Sequence, residues 1–276
     1  MLASRSDCQA ASLRSAASVR KGAAAASFAL ALAFAAPVVA IDFRVQTKVF
    51  VQNEDKPVSE TTTVFKLGLV YDFPAGPEAA WTIMDPFQKR FVLMRADKKQ
   101  RANVSFDELI DLVGKYQKMG VEAGKTAVFD PKLAESLEEE TNRLVLQNEA
   151  MKYRVKALQP TDPAVPDLYR SFGDWFSRLN VRYAGAYPPF GRLNLNEAMQ
   201  KRGLIPSEIE WTVLPQGRML ETRTLRSTHE YQWTLSTNDE KKVELAQKQL
   251  VEFREVTFLE LMGEADVAAS KSDAKR

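Results

Sequence analysis

His229 is the only histidine in the chain, and its type suits it best to acid–base chemistry. On a predicted strand from about Thr222 to Leu235, it lies on the same face as Ser227, Tyr231 and Trp233. A histidine on a largely apolar strand face is typical of a hydrogen-bonded core residue, and burial would lower its pKa. We therefore expect a buried, neutral imidazole here and not a catalytic base.

The other motifs that could carry chemistry are incomplete. Residues 120–126, GVEAGKT, resemble a phosphate-binding loop, but the spacing is one residue short and a helix precedes the loop where a strand is required. One histidine and a single cysteine, Cys8, cannot build the His and Cys zinc sites of known spacing, and no G-x-S-x-G elbow is present. The acidic run Glu138–Glu140 is typical of a solvated helix face. We expect no catalytic residue, no metal and no cofactor.

Aromatic side chains offer a different kind of site. Phe172, Trp175 and Phe176 share one face of a predicted helix, and Tyr231 and Trp233 share a face of the strand that carries the histidine. These five side chains could line a pocket for an apolar ligand. The same spacing is also typical of a packed core, so both interpretations stay open.

The elements that must position these side chains form a sheet interrupted by groups of helices. Alternation of apolar and polar residues predicts strands over 43–51, 61–73, 81–84, 91–94, a short segment through Val104, 144–147, 153–158, 209–214 and 222–235. Helices are predicted after the capping box of Ser105 and Glu108, after Asp130–Pro131, along Leu168–Tyr183, over about 194–202 and after a capping box of Thr237 and Glu240. This order predicts an α+β domain with an antiparallel sheet and helices packed on one face.

The first 40 residues differ in composition from the rest of the chain. Lys21 is followed by an uncharged apolar run, Gly22–Ala40, which ends in small residues. This order is that of a secretory signal peptide, and we expect cleavage after Ala40. Three alternatives stay open. The run is long enough for an uncleaved anchor, the Arg- and Ser-rich composition also suits an organelle transit peptide, and translation could start downstream of Met1.

The remaining 236 residues suit one large domain. The leader holds four of the 38 Lys and Arg residues and one of the 36 Asp and Glu residues, which leaves 34 and 35 and a net charge of −1. A near-neutral surface gives no electrostatic reason to expect nucleic acid as a partner. We expect a single α+β domain over 41–262, a disordered tail over 263–276, and no stable membrane span once the leader is cleaved.

Four segments of the mature chain carry a resemblance: DFRVQTKVFV at 42–51, FKLGLVYDF at 65–73, RFVLMRADKKQRANVSFDELIDLV at 90–113 and PPFGRLNLNEAMQKRGLIPSEIEWTV at 188–213. Through them the chain resembles a group of uncharacterised secreted bacterial proteins. More distantly, the order of its elements is similar to the lipoprotein-carrier superfamily of periplasmic proteins. That resemblance implies a half barrel, in which a curved antiparallel sheet and helices enclose an apolar cavity for acyl chains, and it implies no particular site residues.

Three functions fit these observations. We expect first a non-enzymatic exported protein, in the periplasm or outside the cell, that binds an apolar ligand such as a lipid or lipoprotein acyl chain. The alternative is an envelope interaction or scaffold protein with a filled core, and the third is a hydrolase that uses carboxylates. A carrier needs a continuous apolar tunnel of roughly several hundred Å³. A scaffold needs only a packed interior, and a glycosidase-like hydrolase needs two facing carboxylates.

Overall fold

The computed structural model describes residues 41–52, 54–76, 79–183, 185–215 and 222–263. Its strands are β1 (Phe43–Val51), β2 (Ser59–Lys66), β3 (Leu69–Pro74), β4 (Trp81–Asp85), β5 (Arg90–Arg95), β6 (Gln100–Ser105), β7 (Ala134–Glu138), β8 (Arg143–Gln147), β9 (Met151–Leu158), β10 (Ile205–Val213), β11 (Arg223–Gln232) and β12 (Arg254–Glu255). Its helices are α1 (Phe106–Glu122), α2 (Thr126–Phe129), α3 (Val165–Asn180), α4 (Phe190–Gln200), α5 (Thr237–Glu252) and α6 (Phe258–Met262). The expected leader and its cleavage point, and the expected tail from 264 onward, lie outside the described residues.

The strands form one open sheet in the order β12-β6-β5-β4-β3-β2-β1-β11-β10-β9-β8-β7. All neighbouring strands are antiparallel except β12 and β6, which are parallel. The expected α+β class is therefore confirmed. None of the helices in the described ranges is both long and apolar enough to cross a bilayer.

The two faces of the sheet carry different helices. Phe65 of β2 contacts Phe172 of α3, and the clusters of α1 and α4 lie on this same face, which we call the α3 face. Val64, its neighbour in β2, points the opposite way and packs against Val243 and Ala246 of α5. Helices thus cover one face as the sequence predicts, and α5 in addition covers part of the other.

The long strand predicted over 61–73 is wrong, because the chain reverses within it. β2 and β3 form an antiparallel hairpin joined by Leu67 and Gly68, whose φ angles are 52° and 77°. A two-residue hairpin turn with positive φ at both positions matches the right-handed twist of the strands, and glycine adopts such angles without strain. Leu67 is consequently at the tip of a turn and not on a strand face.

The helix predicted after Asp130–Pro131 is also wrong. The chain forms the short helix α2 before this point and then the strand β7, which pairs with β8 at the edge of the sheet. Leu137, expected on a buried helix face, is largely exposed on β7. The Glu138–Glu140 run correspondingly ends a strand and enters a turn.

Side-chain caps fix the starts of α1, α5 and α6. The Ser105 hydroxyl accepts a hydrogen bond from the Glu108 backbone N–H, which confirms the predicted start of α1. At α5, however, the cap is Ser236 with Asp239 as the reciprocal partner, one residue before the predicted box. An aspartate completes this box in place of the usual glutamate or glutamine.

Gly120, the first glycine of the loop that resembles a phosphate-binding motif, has a packing role. A Cβ atom at this position would lie 2.1 Å from Cγ of Phe129, so α1 and α2 can pack only with glycine here.

We expect Gly120→Ala to lower the free energy of unfolding by about 1–3 kcal/mol in urea titrations. Gly114→Ala on the same helix is the matched control. It meets nothing within 4 Å and should raise stability by about 0.5–1 kcal/mol. Equal effects of the two changes would contradict this role.

Candidate functional site

Ten aromatic rings form a continuous set of contacts on the α3 face, which we call the aromatic cluster. Its members are Phe43, Phe65, Phe91, Phe106, Tyr169, Phe172, Trp175, Phe176, Tyr231 and Trp233. The structure therefore brings all five side chains named from the sequence into one cluster. The other five members come from β1, β2, β5 and the first turns of α1 and α3.

The rings of α3 lie directly on rings of the sheet and of α1. Trp175 stacks on Phe106 with a centroid separation of 3.7 Å. Phe176 meets Phe91 edge-on at 5.4 Å, and Phe172 meets Phe65 at 5.5 Å. These separations are those of rings in contact. The three helix side chains therefore fill the space between α3 and the sheet.

The β11 side of the cluster reaches the surface. Tyr231 stacks on Trp233 with a centroid separation of 5.6 Å, and its hydroxyl donates a hydrogen bond to the Pro206 carbonyl at 2.7 Å. Trp233 also lies 5.7 Å from Phe43, yet 47% of its surface remains exposed. The cluster thus ends in a large aromatic side chain that is half in solvent.

Two further apolar side chains are exposed at the same end of the sheet. Leu67, at the β2–β3 turn, is 65% exposed, and Phe87, in the β4–β5 turn, is 76% exposed. Together with Trp233 we call these residues the rim. Sequence reasoning placed Leu67 inside a long strand and Phe87 between the predicted strands 81–84 and 91–94, and it did not bring the three together. The glycine that follows Leu67 was the signal for a turn.

A group of polar side chains lies beside the aromatic cluster, around His229. The imidazole Nδ1 lies 3.2 Å from the Thr47 hydroxyl and 3.3 Å from the Tyr169 hydroxyl. Nε2 lies 3.0 Å from the Ser227 hydroxyl. Within the described ranges these hydroxyls are its only hydrogen-bond partners, so no carboxylate orients the ring as a catalytic triad requires.

The protonation state of His229 follows from its surroundings. Burial, and to a smaller extent the positive charge of the nearby Arg192 guanidinium, lower the pKa of its imidazole to about 3. The expected buried, neutral histidine is thereby confirmed. An imidazole with so low a pKa is a weak base at neutral pH and is poorly suited to accept a proton from a nucleophile.

Arg192 was not singled out from the sequence, and it is the cation of this polar group. Its Nε donates a hydrogen bond to Oδ1 of Asn196 at 2.9 Å, and Asn196 in turn donates to Asp174 at 2.9 Å. None of the ion pairs among the described residues includes Arg192. The guanidinium instead opposes the rise that burial causes in the pKa of Tyr169. This half-buried arginine is thus surrounded by hydroxyl, amide and imidazole groups.

Asp72 is a buried acid on the α3 face that sequence reasoning also missed. It pairs across strands with Thr63 and Thr82, and the Thr63 hydroxyl donates a hydrogen bond to its Oδ1 at 2.7 Å. Burial raises the pKa of this carboxyl to about 7. The signal in the sequence was an acid inside the apolar run LVYDF. Burial of this carboxyl costs stability. No second carboxylate in the described ranges acts on its pKa, whose shift comes from burial and is opposed by the Thr63 hydroxyl.

Two cavities bear on ligand binding. One, of about 10 Å³, lies between α3, α4 and β10 and borders on Tyr169 and Leu195. It has room for roughly one water molecule. The other is an open concavity of about 550 Å³ on the opposite sheet face, lined by Gln52, Glu210, Thr224 and Arg226. Its single carboxylate is paired with Arg154 at 3.3 Å, so it has no pair of facing acids.

Within the described ranges, no three His, Cys, Asp or Glu side chains come together in a group that could hold a metal ion. The chemistry available around the cluster is therefore that of apolar contact, hydroxyl hydrogen bonds and one half-buried guanidinium. Comparison of the chain with protein-family models and with curated proteins finds no match.

Proposed function

We propose that the mature chain is a non-enzymatic, exported binding protein with a filled core, which engages its partner through its surface. The observation that carries this proposal is the contact between α3 and the sheet. The rings of Phe172, Trp175 and Phe176 occupy the space in which a half-barrel carrier would hold an acyl chain. The adjoining cavity, of about 10 Å³, is far smaller than the roughly several hundred Å³ that such a ligand needs.

The polar groups support a binding role over catalysis. The low pKa of His229 and its hydroxyl neighbours are those of a structural histidine, not of a general base. The raised pKa of Asp72 arises from burial, and its partner is a threonine hydroxyl. A carboxylate hydrolase would need two acids facing one cleft, and the open concavity of about 550 Å³ offers Glu210 alone.

A second candidate function is that of a carrier for an apolar ligand, such as a lipid or a lipoprotein acyl chain. One observation favours it: the aromatic cluster is continuous from Trp175 to the exposed Trp233. A movement of α3 away from the sheet would then expose an aromatic surface to the ligand. Arg192, half-buried beside this surface, could hold an anionic head group.

Native mass spectrometry of the purified exported protein separates the two candidates. We expect the mass of the polypeptide alone, because aromatic rings occupy the space between α3 and the sheet. Co-purified lipid at about one molecule per chain, retained until the protein unfolds, would contradict the filled-core proposal and support the carrier. Lipid lost at low activation energy would indicate contact with the surface and would leave the filled core standing.

A further inference from the structure

The rim lies on three chain connections that meet at one end of the sheet. Leu67 joins β2 to β3, Phe87 joins β4 to β5, and Trp233 follows β11. With neighbouring strands about 4.8 Å apart, the row spans roughly 20–25 Å from the β4–β5 turn to the end of β11. Large apolar side chains exposed singly are common, but a contiguous row of them marks a surface that contacts something apolar.

The conformation of Leu67 argues that this leucine does not serve stability. Its φ of 52° is in the left-handed region, where asparagine, aspartate and glycine are favoured and a bulky side chain is strained. Its N–H donates to Oδ1 of Asp42 at 3.1 Å, a bond that any residue could make. Its side chain is 65% exposed and so gains little from burial. A turn under selection for stability alone would carry asparagine here.

Phe87 is positioned by the same turn. A Cβ atom placed on Gly68 would lie 2.8 Å from Cζ and 2.9 Å from Cε2 of Phe87, so the ring lies directly over the turn. Phe87 and Leu67 are therefore held next to one another. On the other side of Leu67, Asp42 and Phe43 lead to Trp233, whose ring contacts that of Phe43. The three exposed side chains of the rim thus lie at one end of the sheet, and Asp42 and the buried Phe43 connect the Leu67 turn with Trp233.

The chain that precedes the domain also meets it at this end. Ile41 packs against the residues of the α3 face, and Asp42 contacts the Leu67 turn. The 19 residues before Ile41, Gly22–Ala40, form the uncharged apolar run of the leader. As long as that run is in a membrane, during export or as a retained anchor, Ile41 lies at the membrane surface. The rim, at the same end of the sheet as Ile41, is then within reach of a bilayer.

We propose that the rim is a membrane-docking surface, in which Leu67, Phe87 and Trp233 insert into the interface of a lipid bilayer. Tryptophan, phenylalanine and leucine are the side chains that amphipathic surfaces place at the headgroup–acyl boundary. The proposal goes beyond the proposed function by naming the partner of the surface. Its occupant is a lipid bilayer and not a second protein.

The charges around the rim indicate the lipid that it needs. Asp42 and Asp85 lie beside it together with Lys89, and Lys66 pairs with Glu240 at the start of α5. With both signs present, the contact depends on apolar insertion and not on attraction to anionic lipid. Binding to neutral phosphatidylcholine vesicles should therefore occur and should change little between low and high salt.

Vesicle sedimentation tests the proposal with the purified exported protein and phosphatidylcholine vesicles. We expect wild-type protein to sediment with the vesicles. A variant with Leu67→Ser, Phe87→Ser and Trp233→Ser should bind at least about tenfold more weakly, because its three replaced side chains no longer transfer apolar surface from water into the bilayer. The matched control carries Leu137→Ser and Val251→Ser, two residues that are 60% and 85% exposed on β7 and at the end of α5. It should bind as wild type does.

Leu67→Asn separates docking from folding. Asparagine suits the left-handed turn, so this variant should keep or raise the melting temperature while it weakens vesicle binding. Wild-type protein that stays in the supernatant, or rim and control variants that bind equally, would overturn the proposal. Neither result would bear on the proposal of a filled core, because native mass spectrometry of the purified protein tests that proposal separately.

Discussion

Trp175→Ala is expected to lower the free energy of unfolding by about 3–5 kcal/mol, because it removes the largest ring between α3 and the sheet. Trp175 stacks on Phe106 at 3.7 Å and has the guanidinium of Arg178 at 5.2 Å on its ring. Trp175 is half-buried, and the Phe106 ring that borders the space it would leave is itself packed against Phe91 of β5, so this space cannot collapse freely.

The measurement is urea unfolding followed by circular dichroism, with Trp233→Ala as the matched control. The control removes the same side chain from a position that is 47% exposed and buries less of it, so it should cost less. A loss below about 1 kcal/mol for Trp175→Ala would mean that α3 is loosely attached to the sheet. The carrier would then become the better function, because α3 could move away to admit a ligand.

The elements that the sequence predicted well are those with a complete local pattern. The hairpin of β8 and β9 has a short apolar run before a turn at Asn148 and alternating apolar residues after it, and α3 has a full apolar stripe. β7 has only five residues and only one large apolar side chain, Leu137, so its short sequence has no period that distinguishes a strand from a helix.

The position of α5 was readable in part. β5 has the unbroken apolar run FVLM, in which Phe91 and Leu93 face α3 while Val92 and Met94 face α5. Continuous apolar strands are typical of sheets that are covered on both faces, so this run indicated a second layer. Which helix supplied that layer depended on contacts between distant segments, and the local pattern of a single sequence does not reveal them.

The candidate site shows the same division. Spacing on α3 and alternation on β11 correctly grouped Phe172 with Phe176 and Tyr231 with Trp233, because each pair shares a local period. The approach of β11 to β1 joins residues about 180 positions apart, such as His229 and Thr47. Local pattern has no access to that pairing, and the rim, which depends on it, could be recognised only in the fold.

Between about pH 4 and pH 6.5, two buried groups should give opposing pH dependences that nearly cancel in the wild-type protein. Burial lowers the pKa of His229 from its ordinary 6.5 to about 3. Its contribution to stability is full above pH 6.5 and is lost as the pH falls toward 3, because the unfolded state takes up a proton that the folded state does not.

Asp72 acts in the other direction. Burial raises the pKa of its carboxyl from an ordinary 3.8 to about 7, so the folded state holds a proton that the unfolded state has released. Its contribution is full below pH 3.8 and is lost as the pH rises through 7. Each group alone gives a slope of about 1.4 kcal/mol per pH unit. In the pH range that the two pKa shifts share, the unfolded state binds a proton at His229 and the folded state binds one at Asp72. The two slopes of stability against pH therefore cancel.

Single substitutions should therefore reveal slopes that the wild-type protein hides. Asp72→Asn keeps an oxygen that can accept the hydrogen bond from Thr63, and its stability should fall as the pH is lowered, since only His229 then titrates. His229→Gln keeps a polar group near Thr47, Ser227 and Tyr169, and its stability should fall as the pH is raised. Urea titrations at pH 4.5, 5.5 and 6.5 measure both slopes. Exposed carboxylates contribute equally to every variant, so slopes are compared with that of the double variant, which lacks both groups. Single variants that match the double variant would show that neither group is buried in the charge state assigned to it.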